Sequence, residues 1–447
     1  MKIALTTDSF VEGQGGVATA VAALARSLSF RRHTTMIYTA ADPSHEKLDL
    51  DVVGLNGLSY KQFPGGRAPL APVDLVRKLA EFQPDVIHNH SMGTMGFQAL
   101  AAAHLLGIPI IGTCHVLLAD FLRYAPISID GLPLTEKAAW LYTVTLYNRF
   151  PQVTVPSNYM KDTLQAHGLR VPLTTVSNGV DTSLFRPLAE SAAEIDRPLT
   201  VIHVGRLGYE KRVSMLLRAF WLLCHTHPQS RLVIVGDGPE AGKLRDEARL
   251  LGISDRVRFV GHISHEALPE FYLNADVFAT ASTIETEGLV VLEAMACGLP
   301  VVGVRAGALP DVVQDDINGF LVEPNDEKAI AHALAKLIAI PEMRNRMGRE
   351  GRKQAQRHNL QFTATEYELL YQVVLDHAPR RLLPDMSITP MVKEISSALQ
   401  AELNAMAEFG VDSAWKMAEA VQKWVEKSEV EPVEDDQVES SENSSKR

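Results

Sequence analysis

The chain is poor in cysteine. Its 447 residues include three, Cys114, Cys224 and Cys297, far apart and in no paired spacing. Such usage argues against a disulfide framework and against a zinc site, and it points to a reducing compartment. A long apolar run is also lacking, because no stretch approaches the roughly 20 residues that cross a bilayer as a helix. The opening MKIALTTDSF meets Asp8 too early for a secretory leader and reads as a first strand. Positive charge is not in excess. With 43 basic and 54 acidic residues the net charge is −11. Part of that sits in the tail EPVEDDQVESSENSSKR, which has six acids and two bases. Residues 431–447 are therefore expected to be disordered. The remainder is closer to neutral, so a nucleic-acid duplex is a poor partner. No repeat at a solenoid period is present.

What is present is an alternation. Hydrophobic residues make up 46% of the chain and charged ones 22%, enough for real cores. The length suits about two or three domains. KIALTTD is followed by the Gly-rich EGQGG and the helical pattern VATAVAALARSLSF. HTTMIYTA, PDVIHNH, PIIGTCH and QVTVPS read as further strands, with DLVRKLAEF, GTMGFQALAAAHLLG and TEKAAWLYTVTLYNRF as helices between them. After the loop-rich VSNGVDTSLFRPLAESAAEIDRP the pattern restarts. PLTVIHVGRL, SRLVIVGDGP, VRFVGHI, DVFATAS and PVVGV are then the strands, and LPDVVQD follows the last of them.

The expected fold class is α/β: two doubly wound, Rossmann-like parallel-sheet domains facing a cleft, with a C-terminal helical extension. The domains are placed at 1–182 and 183–360. Helices are placed over 361–430, the first crossing back to the N-terminal domain. Ligands of such sheets sit outside the carboxyl ends of the strands, and interdomain clefts are favoured pockets. Over 387–427, Met391, Ile395, Leu399, Leu403, Met406, Phe409, Trp415, Val421 and Trp424 recur near helical spacing. Mixed charge there disfavours a membrane-surface helix. It favours packing on the domains or pairing with a partner, a homo-oligomer included.

Four stretches could carry chemistry. Gly13, Gly15 and Gly16 follow a strand and open a helix, where backbone can approach a phosphate; a plain tight turn is an equal reading. In HVGRLGYEKR, Arg206 and Lys211 offer a fork and an ammonium that match a diphosphate. Basic residues at a helix start oppose its dipole, which weakens a purely structural reason for them. In ASTIETEGLVVLEAMACGLPVV, a helix should begin near Leu289. The N–H groups of Gly288, Leu289 and Val290 could receive a phosphate, with Glu285 and Glu293 on either side to grip hydroxyls. Taken alone, solvated loop and cap acids are the simpler reading. In GTCHVLLADF, His115 stands at a strand's carboxyl end, followed by Leu117, Leu118, Phe121 and Tyr124; structural and ligand-binding roles are equally open.

Together, GGV, TCH, GRL with EKR, VGDGP, FVGHIS, the E-x7-E pair and LEAMACGLPVV resemble the retaining glycosyltransferases of family 4, which have the GT-B fold. Order and spacing agree across residues 1–375. The resemblance implies an N-terminal acceptor domain and a C-terminal domain for a nucleoside-diphosphate sugar. Gly15 and Gly16 would lie against the donor diphosphate, and His115 would contact the donor sugar near the reaction centre. Arg206 and Lys211 would bind the diphosphate and stabilise the leaving group. Glu285 would hold sugar hydroxyls, Gly288 and Leu289 would give N–H to phosphate, and Glu293 would hold the ribose. Val260, Gly261 and His262 would line the base pocket. The commoner family string E-G-F-G is here Glu285-Thr286-Glu287-Gly288. TETEGLVVLEAMACG and GGVATAV are more similar to the enzymes that glycosylate diacylglycerol or other lipids. HVLLADFLRYAP is similar to their acceptor region, with Leu117, Leu118, Phe121 and Tyr124 as expected acceptor contacts. Val116 departs from that pattern, standing where a threonine is usual.

The activity implied is hexose transfer with retention, from UDP-glucose in preference to GDP-mannose, to a lipid such as diacylglycerol. A soluble sugar or glycan acceptor, and a non-catalytic sugar-nucleotide-binding scaffold, are the alternatives. An epimerase on the same fold is disfavoured by the E-x7-E pair. No metal and no cofactor are expected. No Asp-x-Asp signature stands where a metal-dependent transferase needs one, and basic residues can supply the ion's charge. Asp8 and Glu12 are rival base candidates, and a true base there would mean inversion. Arg26, Arg31, Arg32, Arg67, Arg77 and Lys78 could face anionic lipid, although scattered surface charge is the simpler reading. The expected place is the cytoplasm, peripheral on the inner face of the membrane.

Overall fold

The computed structural model describes residues 1–8, 10, 15–40, 49–55, 57–59, 67–69, 72–122, 128–129, 132–133, 136–187 and 198–377. The expected helices over 387–427, the acidic tail, Glu12, Gly13 and Tyr124 lie outside them.

The first half of the chain builds a seven-stranded sheet from β1 (Lys2–Thr7), β2 (Thr34–Thr39), β3 (Val52–Gly54), β4 (Val86–Asn89), β5 (Ile110–Thr113), β6 (Val153–Val155) and β7 (Leu173–Thr175). Its order is β7-β6-β5-β4-β1-β2-β3, and every pairing is parallel. The second half builds a six-stranded sheet from β8 (Thr200–Val204), β9 (Arg231–Val235), β10 (Val257–Gly261), β11 (Val277–Ala279), β12 (Val301–Val304) and β13 (Gly319–Val322). Its order is β10-β9-β8-β11-β12-β13, again parallel throughout. Helices cover both faces, which is why the central strands read as continuous apolar runs. Ile3, Leu5, Val86 and Ile111 form one core with the first helix, Gly16–Phe30. Val201, Ile202, Val277 and Val301 belong to another.

Strand order reverses beside β1 in the first sheet and beside β8 in the second. The carboxyl ends of β1 and β4, and of β8 and β11, therefore open crevices, the places where doubly wound sheets take ligands. The two carboxyl edges meet. Just after β6, the Ser157 hydroxyl donates to the Thr286 carbonyl at 2.6 Å, and the Tyr159 N–H donates to Asp311 at 2.9 Å.

In LPDVVQD, Leu309–Val312 is a short helix with Pro310 in its first turn. Proline suits that position and lacks the N–H a sheet ladder needs. The sixth strand is the later GFLV segment, β13. Of the basic residues considered for lipid contact, Arg26 pairs with Asp49 at 2.7 Å, Arg31 with Glu368 at 2.5 Å, and Arg77 with Asp74 at 3.0 Å.

The helix Leu360–His377 packs on the first sheet's side. Tyr371 and Tyr367 enter that core, and the Tyr371 hydroxyl lies 2.7 Å from Nδ1 of His88 on β4. Two short antiparallel ribbons complete the description, Gly57–Ser59 with Arg67–Pro69, and Ser128–Ile129 with Leu132–Pro133.

Candidate active site

The three glutamates of the 281–302 stretch have three different fates. Beyond β11 the chain runs to Gly288, whose φ of +88° favours glycine, and the helix Leu289–Ala296 begins there. The Gly288 carbonyl already accepts from Val291 and Leu292. The N–H groups of Gly288, Leu289 and Val290 precede the first intrahelical bond and are the donors such a helix start offers.

Glu285, buried in the loop before that helix, receives Lys211 Nζ at 2.5 Å. Burial raises its carboxyl, and the Lys211 ammonium more than offsets that, leaving the group below its usual range. Its backbone is fixed too: Ala308 N–H donates to its carbonyl at 2.8 Å. Gly307 has φ +56°, and a Cβ there would stand 2.7 Å from that same oxygen.

Lys211 comes from the turn Tyr209–Lys211 that follows β8, and Arg212, at φ +50°, opens the helix Val213–Thr226. Arg206 is exposed just beyond β8. Beneath them His203 donates its Nδ1–H to the Ala279 carbonyl at 3.0 Å, and burial lowers its pKa to about 4, so it is neutral. A carbonyl only accepts, so Nδ1 carries the proton. Lys211 and Glu285 neutralise each other here. A ligand carrying both phosphate and hydroxyls could take one each.

Glu293, one turn into its helix, is 5% exposed. His265 Nε2 lies 3.0 Å from its Oε1, and Tyr272 donates to its Oε2 at 2.9 Å. Burial pulls the His265 imidazole down, but the Glu293 carboxylate outweighs it and the net shift is upward. A carboxylate has about four lone-pair sites, so acceptor capacity remains for a ligand hydroxyl. Glu287 faces the other sheet's side instead. It accepts from Ser177 Oγ at 2.5 Å and from Asn178 Nδ2 at 2.6 Å, and the Asn178 N–H is 3.1 Å away.

At the end of β10, Val260 and Gly261 are half-buried and His262 is exposed. Gly261 has φ +86°, and its carbonyl accepts from Gly236 at 2.8 Å. On the first sheet's side, Gly15 has φ +93° and caps the first helix, and a Cβ on Gly15 or Gly16 would meet nothing within 4 Å. Among the described residues, nothing blocks the approach to that helix start.

His115 lies two residues past β5 and is 7% exposed. Its Nε2 is 2.9 Å from Nδ1 of His90, and burial lowers its pKa to about 4. Leu117 is 1% exposed and so packs inward, whereas Val116 is 36% exposed. Leu118 is half-buried, and the Phe121 side chain lies outside the described residues.

The carboxylate of Asp8, a rival base candidate, is held by protein partners. It accepts from Gly93 at 2.9 Å, from Met95 at 3.2 Å and from the Ser91 hydroxyl. It thereby caps the helix Thr94–Leu106, whose own N-cap residue, Gly93, has no side chain to do so.

Two family models cover this architecture, Glycosyltransferase Family 4 over residues 14–184 and Glycosyl transferases group 1 over residues 187–354. The chain belongs to glycosyltransferase family 4. A GDP-mannose-dependent alpha-mannosyltransferase of Mycobacterium tuberculosis is 30% identical over 76% of this chain and 88% of its own length. The sulfoquinovosyl transferase SQD2 of Arabidopsis thaliana is 30% identical over 72% of this chain, which spans 64% of that protein. An alpha-monoglucosyldiacylglycerol synthase of Streptococcus pneumoniae is 28% identical over 77% of this chain and 80% of its own length. Among solved structures, a sucrose-phosphate synthase from Thermosynechococcus elongatus superposes with a TM-score of 0.70 at 25% identity, covering 84% of this chain and 99% of that one. The fold class is GT-B.

Three residues of this family 4 site escaped the sequence reading: His90, His265 and Tyr272. His90 left a signal, because His88 and His90 alternate along a strand end and so share a face. His265 and Tyr272 left none; only the fold brings them to Glu293.

Proposed function

We propose that this family 4 protein transfers a hexose, with retention, from a nucleoside-diphosphate sugar to a lipid acceptor such as diacylglycerol. UDP-glucose is favoured as donor over GDP-mannose, and neither a metal ion nor another cofactor is required. The observation that carries the reading is the Lys211–Glu285 pair at 2.5 Å, set against the start of the helix Leu289–Ala296. One donor molecule fits that arrangement. Its diphosphate takes Lys211, Arg206 and the N–H groups of Gly288, Leu289 and Val290. Its sugar hydroxyls take Glu285, its ribose takes Glu293, and its base lies near Val260, Gly261 and His262. Gly15 and Gly16 close on the diphosphate from the other side, and His115 meets the sugar.

Chemistry follows from where charge develops. As the glycosidic C–O bond to the diphosphate breaks, negative charge grows on the phosphate oxygens. Fixed cations and N–H groups lower that barrier, which is the work a metal ion would otherwise do. The acceptor hydroxyl attacks the face the diphosphate leaves, and its proton passes to the departing phosphate. No protein base is needed, consistent with Asp8 being a helix cap. Closure of the two halves excludes water, the competing acceptor.

The lipid acceptor is supported by a relative whose name specifies a glycolipid product, the alpha-monoglucosyldiacylglycerol synthase. No helix among the described residues is long and apolar enough to cross a membrane, and we place the protein peripherally on the cytoplasmic face. A second reading, GDP-mannose as donor with a different acceptor, is favoured by the mannosyltransferase relative. The test is incubation of purified protein with labelled UDP-glucose or GDP-mannose and diacylglycerol in mixed micelles, with and without a chelator. Label should enter the lipid phase from UDP-glucose, as the α-anomer by NMR, and the chelator should not matter. A β-anomer, or activity lost to the chelator and restored by a divalent cation, would overturn the stereochemical or the metal part. Label from GDP-mannose alone would establish the second reading.

A further inference from the structure

Three histidines crowd the end of the first sheet. His88 is the third residue of β4, His90 follows that strand, and His115 follows the neighbouring β5. Their exposures are 0%, 5% and 7%. The His88 and His90 rings lie 3.9 Å apart, centroid to centroid, and the His90 and His115 rings stack at 5.2 Å and 21°. His88 is pinned through both nitrogens, Nδ1 to the Tyr371 hydroxyl at 2.7 Å and Nε2 to Thr113 Oγ1 at 2.6 Å. His90 is thus held against a fixed ring, and its Nδ1 lies 2.9 Å from Nε2 of His115. Its other nitrogen, Nε2, is buried without a hydrogen-bond partner among the described residues.

That orphan nitrogen decides the direction of the bond. Burial disfavours charge on all three rings, so each carries one N–H. If His115 donated from Nε2, the His90 proton would sit on its own Nε2 as a buried N–H with no acceptor. Such orphaned donors are rare, and unsatisfied acceptors are less so. If His90 donates from Nδ1, only a lone pair is left unmatched. The second arrangement is the cheaper one.

We propose that His90 is the positioning residue of His115, donating Nδ1–H to its Nε2 and thereby locking His115 as the Nδ1–H tautomer. The proposal rests on the reading of His115 as a contact of the donor sugar. It adds that this ring offers the site an N–H and cannot accept a proton there, because its lone pair is already used.

The test combines kinetics with imidazole ¹⁵N NMR on the full chain. His90→Phe keeps an aromatic ring against His88 and removes the donor. It should lower kcat about tenfold, the scale of one hydrogen bond, and leave the donor KM within about twofold. His90→Asn restores an N–H near the Nδ1 position and should recover most of that loss, whereas His90→Gln, whose amide reaches toward the Nε2 position, should not. In the wild type the His115 spectrum should show the proton on Nδ1, and in His90→Phe it should move toward Nε2. If His90→Phe fails to fold, the Asn and Gln variants carry the comparison. Equal kcat for Asn and Gln, or a His115 tautomer unchanged by loss of the His90 donor, would overturn the proposal. His115→Ala, measured alongside, separates the failures. If it is inactive while His90→Phe is fully active, His90 has no positioning role and the site reading stands. If His115→Ala is fully active, the site reading itself fails.

Discussion

Glu285, Glu287 and Glu293 lie within nine positions of one another, yet one meets a lysine, one meets the opposite half and one meets a histidine and a tyrosine. The spacing made Glu285 and Glu293 recognisable as a pair, because the helix start between them is written in Gly288 and the apolar run that follows. It did not separate Glu287, since its partners Ser177 and Asn178 come from a distant part of the chain. Two consequences follow for single residues. Glu293→Gln should raise the donor KM about tenfold with little change in kcat, whereas His115→Ala should lower kcat by about a hundredfold with a smaller change in KM; steady-state kinetics on the two variants checks both. Glu287 supplies a pH test. Burial pushes its carboxyl up to about 7, against the hydrogen bonds from Ser177 and Asn178. The folded chain then keeps this proton to about pH 7, whereas the unfolded chain releases it near 4.5. The stability this gives is fully present below the unfolded value and is lost as pH rises through the folded one. Thermal midpoints of Glu287→Gln should therefore fall less between about pH 5 and 8 than those of the wild type; parallel profiles would contradict the assignment.

At the scale of elements, the βαβ alternation was plain in the chain, and the long buried strands were found by their apolar runs. Three strands of the two large sheets were not. β3 is VVG, β7 is LTT and β13 is GFLV. All three are edge strands, and their pairing is supplied by the sheet beside them. The role of Gly307 was hidden for the same reason. Nothing near it in sequence shows that it presses on the Glu285 carbonyl. Gly307→Ala would combine a left-handed backbone with a contact no Cβ tolerates. We expect it to cost about 1–3 kcal/mol of stability and to weaken donor binding by displacing Glu285. Denaturant unfolding and donor titration on the same variant measure the two effects.

For the whole molecule, the two sheets meet at their carboxyl edges through Ser157, Tyr159 and Ser177 on one side and Thr286, Asp311 and Glu287 on the other. The donor loop that carries Glu285 is thus braced by the half expected to bind the acceptor. The restart of the βαβ alternation gave that two-part plan, and the family resemblance implied the lipid acceptor. In the segment after His115, expected to meet the acceptor, Leu117 is buried and Val116 is exposed. The most direct measurement is release of UDP and GDP by the purified protein from a panel of sugar nucleotides, with and without diacylglycerol in mixed micelles. The account predicts UDP release from UDP-glucose that rises sharply when the lipid is present. Release that ignores the lipid, or no binding and no release with any donor, would contradict it.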